Sequence, residues 1–218
     1  MNSIKTKKYL INVKKMRQKI HKFSEPFPHL IVENMYNEEE LELIWEELNF
    51  LSKPHKFIVN DSGTDRDSQG KPKSESKSIV LDAIYPQRNI SNILVINKKL
   101  FEGGYLNIFS QISPSCKSIL HQNSDYTKIR YYEDGIQYLP HVDKYNYTII
   151  TFFHKNPKAF TGGELYFPEY NYTFECNNNN MIIFPSCVFH ASQTVSMKKT
   201  FDCLGYGKYS MMQFLKLV

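Results

Sequence analysis

The residues best suited to chemistry in this 218-residue chain are a histidine and an aspartate two positions apart, His141 and Asp143. They sit in "YLPHVDKYNYTIITFF", immediately ahead of a β-branched and aromatic run. On a strand, residues i and i+2 share a face. An imidazole and a carboxylate side by side can bind a metal, form a buried hydrogen-bonded pair, or face solvent. A third candidate, His190, follows in "IIFPSCVFHASQTV". Two imidazoles and one carboxylate make a facial set that leaves positions open on an octahedral ferrous ion. An open set suits activation of a bound cosubstrate, whereas a closed four-ligand set stabilises a fold. Each ligand alone carries little weight, because isolated histidines usually serve packing or solvation. His21, His29, His55, His121 and His154 lack such a setting, and His154 reads as a loop residue at a strand end.

The elements that must position these side chains are legible in outline. From Lys128 onward the chain reads as strands: "TKIRYY", "NYTIITFFH", "GELYFPE", "YTFEC", "NMIIFP", "FHASQTV" and "GKYSMMQFLKL". Turn residues punctuate them at Asp134–Gly135, Gly162–Gly163 and Asn177–Asn180. Before them, "PHLIVEN" reads as a short strand and "NEEELELIWEELNFL" as a helix. Asn37 is a good N-cap, and Glu38, Glu39 and Glu40 suit the positive end of the helix dipole. Leu41, Ile44, Trp45 and Leu48 fall at helical spacing and form one apolar face. "SIVLDAIY" reads as a strand, and "ISNILVINKKLFEGGYLNIFSQIS" as helical up to Gly103–Gly104. Asn60 to Ser78 is nearly free of apolar residues and reads as a loop, either a lid over a site or a disordered segment. Helices first and some seven short strands after predict a mainly β fold, a sandwich or barrel with flanking helices.

Composition sets outer bounds. The length suits one domain with a sizeable core, and 41% apolar residues fit a folded chain. The net charge of +5 is uneven. Met1 to Lys22 holds eight basic residues and no acidic one, so the remainder is slightly acidic. Such a tail is either a solvated extension or an electrostatic arm for nucleic acid or an acidic partner. Cys116, Cys176, Cys187 and Cys203 show no metal-finger spacing, and reduced thiols are the default. Without an apolar run of transmembrane length or a signal-peptide core, the expectation is a soluble, cytoplasmic protein with no membrane partner.

One longer pattern joins these pieces. "YYEDGIQYLPHVD" places Tyr132, Gly135 and Tyr138 ahead of His141 and Asp143; "TGGELYFPE" follows, then the segment with His190, then "GKYSMMQFL". Together with "PFPHLIVENMYNEEELELIWEEL", this combination resembles the iron(II)/2-oxoglutarate-dependent oxygenases, most closely their prolyl-4-hydroxylase-like branch. The resemblance covers Thr127 to Leu215 well. It implies a double-stranded β-helix, or jelly roll, buttressed by helices. The domain layout it implies is a basic extension over residues 1–22, then a single oxygenase domain over 23–218, with a helical buttress at 23–126 and a jelly-roll core at 127–218.

The resemblance also implies a site. His141, Asp143 and His190 would hold Fe(II), and 2-oxoglutarate would chelate it. The far carboxylate of 2-oxoglutarate needs a cation and a hydroxyl, and Lys208 and Ser210 in "GYGKYSMM" fit. The spacing departs from the family pattern, because the basic residue usually follows the distal histidine by fewer positions. Lys199 and Lys198 therefore compete with Lys208, which is preferred for its strand texture and serine partner. Tyr132 would line the cosubstrate pocket, Leu165 would form its wall, and Phe152 stands where relatives often carry a tyrosine. The implied reaction is hydroxylation of an unactivated C–H bond with O2, releasing succinate and CO2, with ascorbate as a candidate reductant. A prolyl residue of a peptide or protein is the favoured substrate, with small molecules as an alternative. Asp143 argues against halogenation, because related halogenases lack this carboxylate. Three rival readings are a nucleic-acid demethylase of the same chemistry prompted by the basic tail, a non-catalytic jelly-roll binding module, and a zinc hydrolase. No basic and aromatic stripe supports the first, the intact triad opposes the second, and no HExxH motif supports the third.

Overall fold

In the computed structural model, residues 17–52, 64–201 and 205–218 are described in full, and residues 58–59 by their backbone. Fourteen strands follow one another along the chain: β1 Lys19–Phe23, β2 His29–Glu33, β3 Ile58–Val59, β4 Lys77–Val80, β5 Ser124–Tyr132, β6 Tyr138–His141 and β7 Tyr147–Phe153, then β8 Phe160–Gly162, β9 Leu165–Phe167, β10 Tyr172–Phe174, β11 Asn180–Pro185, β12 His190–Ser192, β13 Val195–Met197 and β14 Lys208–Lys216. Eight of them form a large antiparallel sheet in the order β1-β2-β11-β7-β14-β5-β4-β3. A smaller sheet, β10-β9-β12-β6, packs against it, and β13-β8 forms a third, two-stranded sheet. This is the expected mainly β fold, a jelly roll with helices on one side.

Alternation along the central strands separates two cores. On β14, Tyr209, Met211 and Leu215 point to the helical side. Met212 and Phe214 point to the small sheet, where Leu165, Phe167 and Phe174 meet them. On β7, Ile149 and Phe153 face the helices, and Ile150 and Phe152 face inward. A strand buried on both faces reads as a continuous apolar run, which explains the texture of "YTIITFF".

The helical side is built around α1 (Glu38–Leu51). Asn37 caps it with a capping box: its side chain accepts from the Glu40 backbone N–H, and the Glu40 carboxylate accepts from the Asn37 N–H. Ile44 and Leu48 are fully buried against the sheet, while Leu41 and Trp45 are partly buried beside them. Truncating Leu48 to alanine would cost about 2–5 kcal/mol. The buried Glu47 carboxylate accepts from the Ser91 hydroxyl at 2.8 Å and the Ile93 N–H at 2.9 Å. It thereby ties α1 to the start of the short helix Asn92–Ile96. "ISNILVINKKLFEGGYLNIFSQIS" is helical up to Gly103–Gly104 in two short pieces, but contrary to expectation the helix resumes after Gly104, at φ 75°, as Tyr105–Ser110.

Two boundaries differ from the sequence expectation. Residues 23–126 are not purely a helical buttress, because β1 to β4 extend the large sheet at both of its edges. The basic extension also ends in structure: Lys19 to Lys22 lie in β1, paired with β2, and Lys19 and His21 both meet Glu33. Residues 1–16, with most of the basic charge, lie outside the described residues, as do Cys203 and His55. No helix among the described residues is long and apolar enough to cross a membrane.

Candidate active site

His141 is the last residue of β6 and His190 the first of β12, and the two are direct partners in the antiparallel pairing of these strands. Their ring centroids are 4.4 Å apart. Asp143 is not on the strand with His141, contrary to the simple i, i+2 expectation. It lies just beyond the strand end, where its N–H donates to the Ser186 carbonyl at 3.1 Å. The turn nevertheless carries its carboxylate between the rings: Oδ1 is 3.7 Å from His141 Nε2, and Oδ2 is 3.4 Å from His190 Nε2. One ligand atom from each residue falls within 4.8 Å of the others.

The orientation of these groups is fixed from behind. His141 Nδ1 is 3.0 Å from the Leu139 carbonyl and His190 Nδ1 is 2.9 Å from the Val188 carbonyl. A carbonyl can only accept, so both Nδ1 atoms carry the proton and both Nε2 lone pairs face Asp143. Burial, with the neighbouring His190, pushes the pKa of His141 down to about 3, so its imidazole is neutral and ready to donate. The Asp143 carboxylate accepts the Thr148 hydroxyl proton at 2.7 Å. Two imidazoles presenting Nε2 and one carboxylate, converging from one side, fit iron(II) with open positions.

The inward face of the large sheet supplies the rest. Rungs of β14 and β5 pair Lys208 with Tyr132, Ser210 with Arg130, Met212 with Lys128, and Phe214 with Tyr126. Lys208 is 1% exposed, and burial pulls its ammonium below the ordinary lysine range. Its Nζ donates to the Gly163 carbonyl and the Ser192 hydroxyl, each at 2.6 Å, and lies 4.3 Å from the Tyr132 ring centroid. Tyr132, Leu165 and Ser192 line a small inner cavity of about 50 Å³ together with His141, Asp143 and His190. Lys208 and Ser210 do not line it directly; Lys208 stands behind Tyr132 and Ser192. Phe152 is buried with its ring centroid 5.6 Å from Lys208 Nζ. Lys199, the competing cation, is exposed in a short 3₁₀ turn, and Lys198 is exposed beside it. His154 follows the end of β7 and bonds the Lys155 carbonyl, outside the site.

Gly162 and Gly163 adopt φ of 72° and 78°, the left-handed turn expected of the pair. A side chain on Gly163 would meet Val195 Cγ2 at 2.9 Å and Lys208 Cδ at 3.1 Å. The glycine therefore leaves room for the lysine stem and offers it a carbonyl.

A larger outer cavity of about 440 Å³ adjoins the inner one, with His141, Asp143, Tyr138 and Lys128 common to both. Part of the loop-like segment 60–78 forms its rim. Residues 64–78 close on themselves: the Asp67 carboxylate accepts from the Gln69 and Lys71 N–H groups, and Lys73 pairs with Asp65 at 2.9 Å. The segment docks on β6 through the Tyr138 hydroxyl, which accepts from the Asp65 N–H at 2.9 Å, and its last two residues join β4. Residues 60–63 lie outside the described residues.

Sequence reasoning missed Lys128 and Arg130. Both are 3% exposed and share the inward face of β5 with Tyr132. The signal was present as two basic residues two positions apart in "TKIRYY". Arg130 donates to the Ser76 hydroxyl at 2.8 Å and the Thr64 hydroxyl at 3.2 Å, and its guanidinium lies 4.6 Å from the Tyr138 ring centroid. Burial and the adjacent Arg130 push the Lys128 pKa down to about 7.

Fold and site together define a class: a jelly roll with an open two-histidine, one-carboxylate centre at its mouth. Residues 126–216 match the model of the 2OG-Fe(II) oxygenase superfamily. No match was found among curated proteins. Many solved structures share the fold, among them three prolyl hydroxylases. A Pseudomonas putida prolyl-4-hydroxylase is 11% identical, with 87% of this chain and 92% of that one covered at a TM-score of 0.54. The viral collagen prolyl hydroxylase of Paramecium Bursaria Chlorella virus-1, in its 2OG complex, is 11% identical over 87% and 96% of the two chains, at 0.55. A prolyl hydroxylase from Trichoplax adhaerens, in complex with a peptide fragment of the hypoxia inducible factor oxygen degradation domain, is 11% identical over 86% and 83%, at 0.54.

Proposed function

We propose that the protein hydroxylates an unactivated C–H bond of a prolyl residue in a peptide or protein, consuming O2 and 2-oxoglutarate and releasing succinate and CO2. His141, Asp143 and His190 hold the iron. Lys208, with Ser210 and Tyr132, receives the far carboxylate of 2-oxoglutarate. Iron(II) with 2-oxoglutarate supplies the oxidising power; the protein's own residues orient the partners and exclude water. The observation that carries this reading is the convergence of two Nε2 lone pairs on one carboxylate, each imidazole locked by a backbone carbonyl. A buried lysine behind the same cavity supports the carboxylate anchor, since a buried ammonium is stabilised by an anionic partner. The prolyl substrate rests on the three fold relatives, each named as a prolyl hydroxylase.

The test is an anaerobic ultraviolet–visible titration with iron(II) and 2-oxoglutarate, followed by succinate assays on proline-containing peptides. A weak visible charge-transfer band in the native protein and none in Asp143→Ala is the expected result. A folded, iron-loaded sample with no band would sink the 2-oxoglutarate reading and favour a binding module or a hydrolase. Succinate release that no prolyl peptide stimulates would remove the prolyl assignment alone.

A further inference from the structure

The proposed reaction leaves one feature beside the metal centre without a role, an irregularity in β6. Two strand residues at spacing i and i+3 ordinarily point to opposite faces. In the pairing of β6 with β12, however, His141 stands opposite His190 and Tyr138 opposite Ser192. Leu139 and Pro140 therefore oppose the single residue Ala191, which makes a β-bulge, a place where proline is tolerated within a strand. The bulge returns Tyr138 to the face of His141. Their rings stack, with centroids 3.7 Å apart and planes 13° from parallel.

The same bulge brings the Leu139 carbonyl to His141 Nδ1, at 3.0 Å. That hydrogen bond selects Nε2 as the ligand atom, but one bond leaves the imidazole free to swing about it. The stacked phenol takes up this freedom, because a swing would break the contact between the two faces. His190 is held differently: its ring meets Phe184 edge-on, with centroids 5.0 Å apart and planes at 75°. The phenol is itself well fixed. Tyr138 is 6% exposed, its hydroxyl accepts from the Asp65 N–H at 2.9 Å, and the Arg130 guanidinium lies over its ring. β6 is an edge strand of the small sheet, and segment 64–78 covers that edge at the bulge. The Leu139 N–H donates to the Lys73 carbonyl at 2.9 Å, and the Ser74 hydroxyl donates to the Gln137 carbonyl at 2.7 Å.

We propose that Tyr138 is a positioning residue of the metal centre: the β6 bulge stacks it on His141, and the stack sets the plane in which the imidazole presents Nε2. Tyr138 acts through His141, not on the reacting atoms. The inference rests on the reading that His141, Asp143 and His190 hold a metal, and it adds what orients the first of these ligands.

The test uses the full chain and cobalt(II), whose visible bands report the geometry of its ligands. Native protein, Tyr138→Phe and Tyr138→Leu are titrated, with the fold of each checked by circular dichroism. Tyr138→Leu removes the stack. Its cobalt(II) affinity should fall about tenfold, the upper end of what a stacked aromatic pair contributes, and its bands should shift. Tyr138→Phe keeps the ring and should rescue both, with affinity within about twofold of native and the native spectrum. A role in packing alone would lower stability and leave the bands in place. A folded Tyr138→Leu with native affinity and spectrum overturns the proposal. So does a Tyr138→Phe as impaired as Tyr138→Leu, which would assign the effect to the hydroxyl. Nuclear magnetic resonance of the zinc(II)-loaded protein decides the matter even where Tyr138→Leu does not fold. The His141 ring protons should be shifted upfield by the phenol in the native protein, and equally in Tyr138→Phe. Zinc-bound native protein without that upfield shift overturns the proposal alone, whereas native protein that binds neither cobalt(II) nor zinc(II) overturns the metal-centre reading and this inference with it.

Discussion

The Thr148 hydroxyl donates to Asp143 Oδ2 at 2.7 Å, from the second residue of β7 to the carboxylate between the two histidines. Thr148 has one hydroxyl proton, so the Ser186 hydroxyl, also 2.7 Å away, must donate to it. Ser186 in turn accepts the Asp143 N–H through its carbonyl. The carboxylate is thus held by the sheet and by its own turn together. Thr148→Val keeps the volume and removes the proton. The expected outcome is a folded protein whose iron(II) affinity falls about 10- to 100-fold, the usual effect of losing a partner behind a ligand. A metal titration of this variant with unchanged affinity would show that the turn alone orients Asp143.

Lys208 and Lys199 separate the two registers open to the final strand. Lys208 is buried on the inward face, bonded to Gly163 and Ser192, whereas Lys199 is exposed. Lys208→Ala should weaken 2-oxoglutarate by about tenfold or more, and Lys199→Ala should leave it unchanged. Cosubstrate titrations on both variants decide the matter. A large effect at Lys199 and none at Lys208 would reverse the anchor assignment.

Gly163→Ala should reach the same anchor indirectly. Its φ of 78° is a region costly for alanine, and the added methyl meets Lys208 Cδ at 3.1 Å and Val195 Cγ2 at 2.9 Å. Backbone strain of about 1–2 kcal/mol is expected from the left-handed conformation alone. Chemical denaturation should report that loss, and the displaced lysine should also weaken 2-oxoglutarate. A stability loss with cosubstrate affinity intact would separate the turn from the anchor.

The sequence carried the strands and the neighbouring His141 and Asp143 because these are written in local signals. Apolar runs mark β7 and β11, and Asn37 with Glu40 marks the start of α1. His190 could be joined to His141 only through the family pattern, because the pairing of β12 with β6 is non-local. The strand end at His141 escaped notice because "YLPHVD" has no glycine there to announce it. Lys128 and Arg130 were passed over because basic residues in a strand ordinarily face solvent. Only the pairing of β5 between β4 and β14 buries both of its faces. Residues 64–78 read as loop by composition, and nothing local shows that Asp65 reaches the Tyr138 hydroxyl.

His29 gives the fold an acid-sensitive point outside the active site. Its ring is buried, stacked on Phe23 with centroids 4.6 Å apart and packed against Phe27 at 4.8 Å. Nδ1 donates to the Phe27 carbonyl at 2.9 Å, and Nε2 has no hydrogen-bond partner among the described residues. Burial lowers the His29 pKa in the folded state, with the Phe27 carbonyl opposing in part. Above the unfolded value near 6.5 both states are neutral, and this group adds no pH dependence. As pH falls below it, the unfolded chain takes up a proton that the folded chain refuses, so stability is lost on acidification. One such proton changes stability by at most about 1.4 kcal/mol per pH unit. Denaturation of the native protein and His29→Phe at pH 7.5 and 5.5 isolates this contribution, since other acid-labile groups are common to both. The native protein should lose more stability across the interval than the variant does. Equal losses would mean that the folded state accepts the His29 proton and that some other group sets the acid limit.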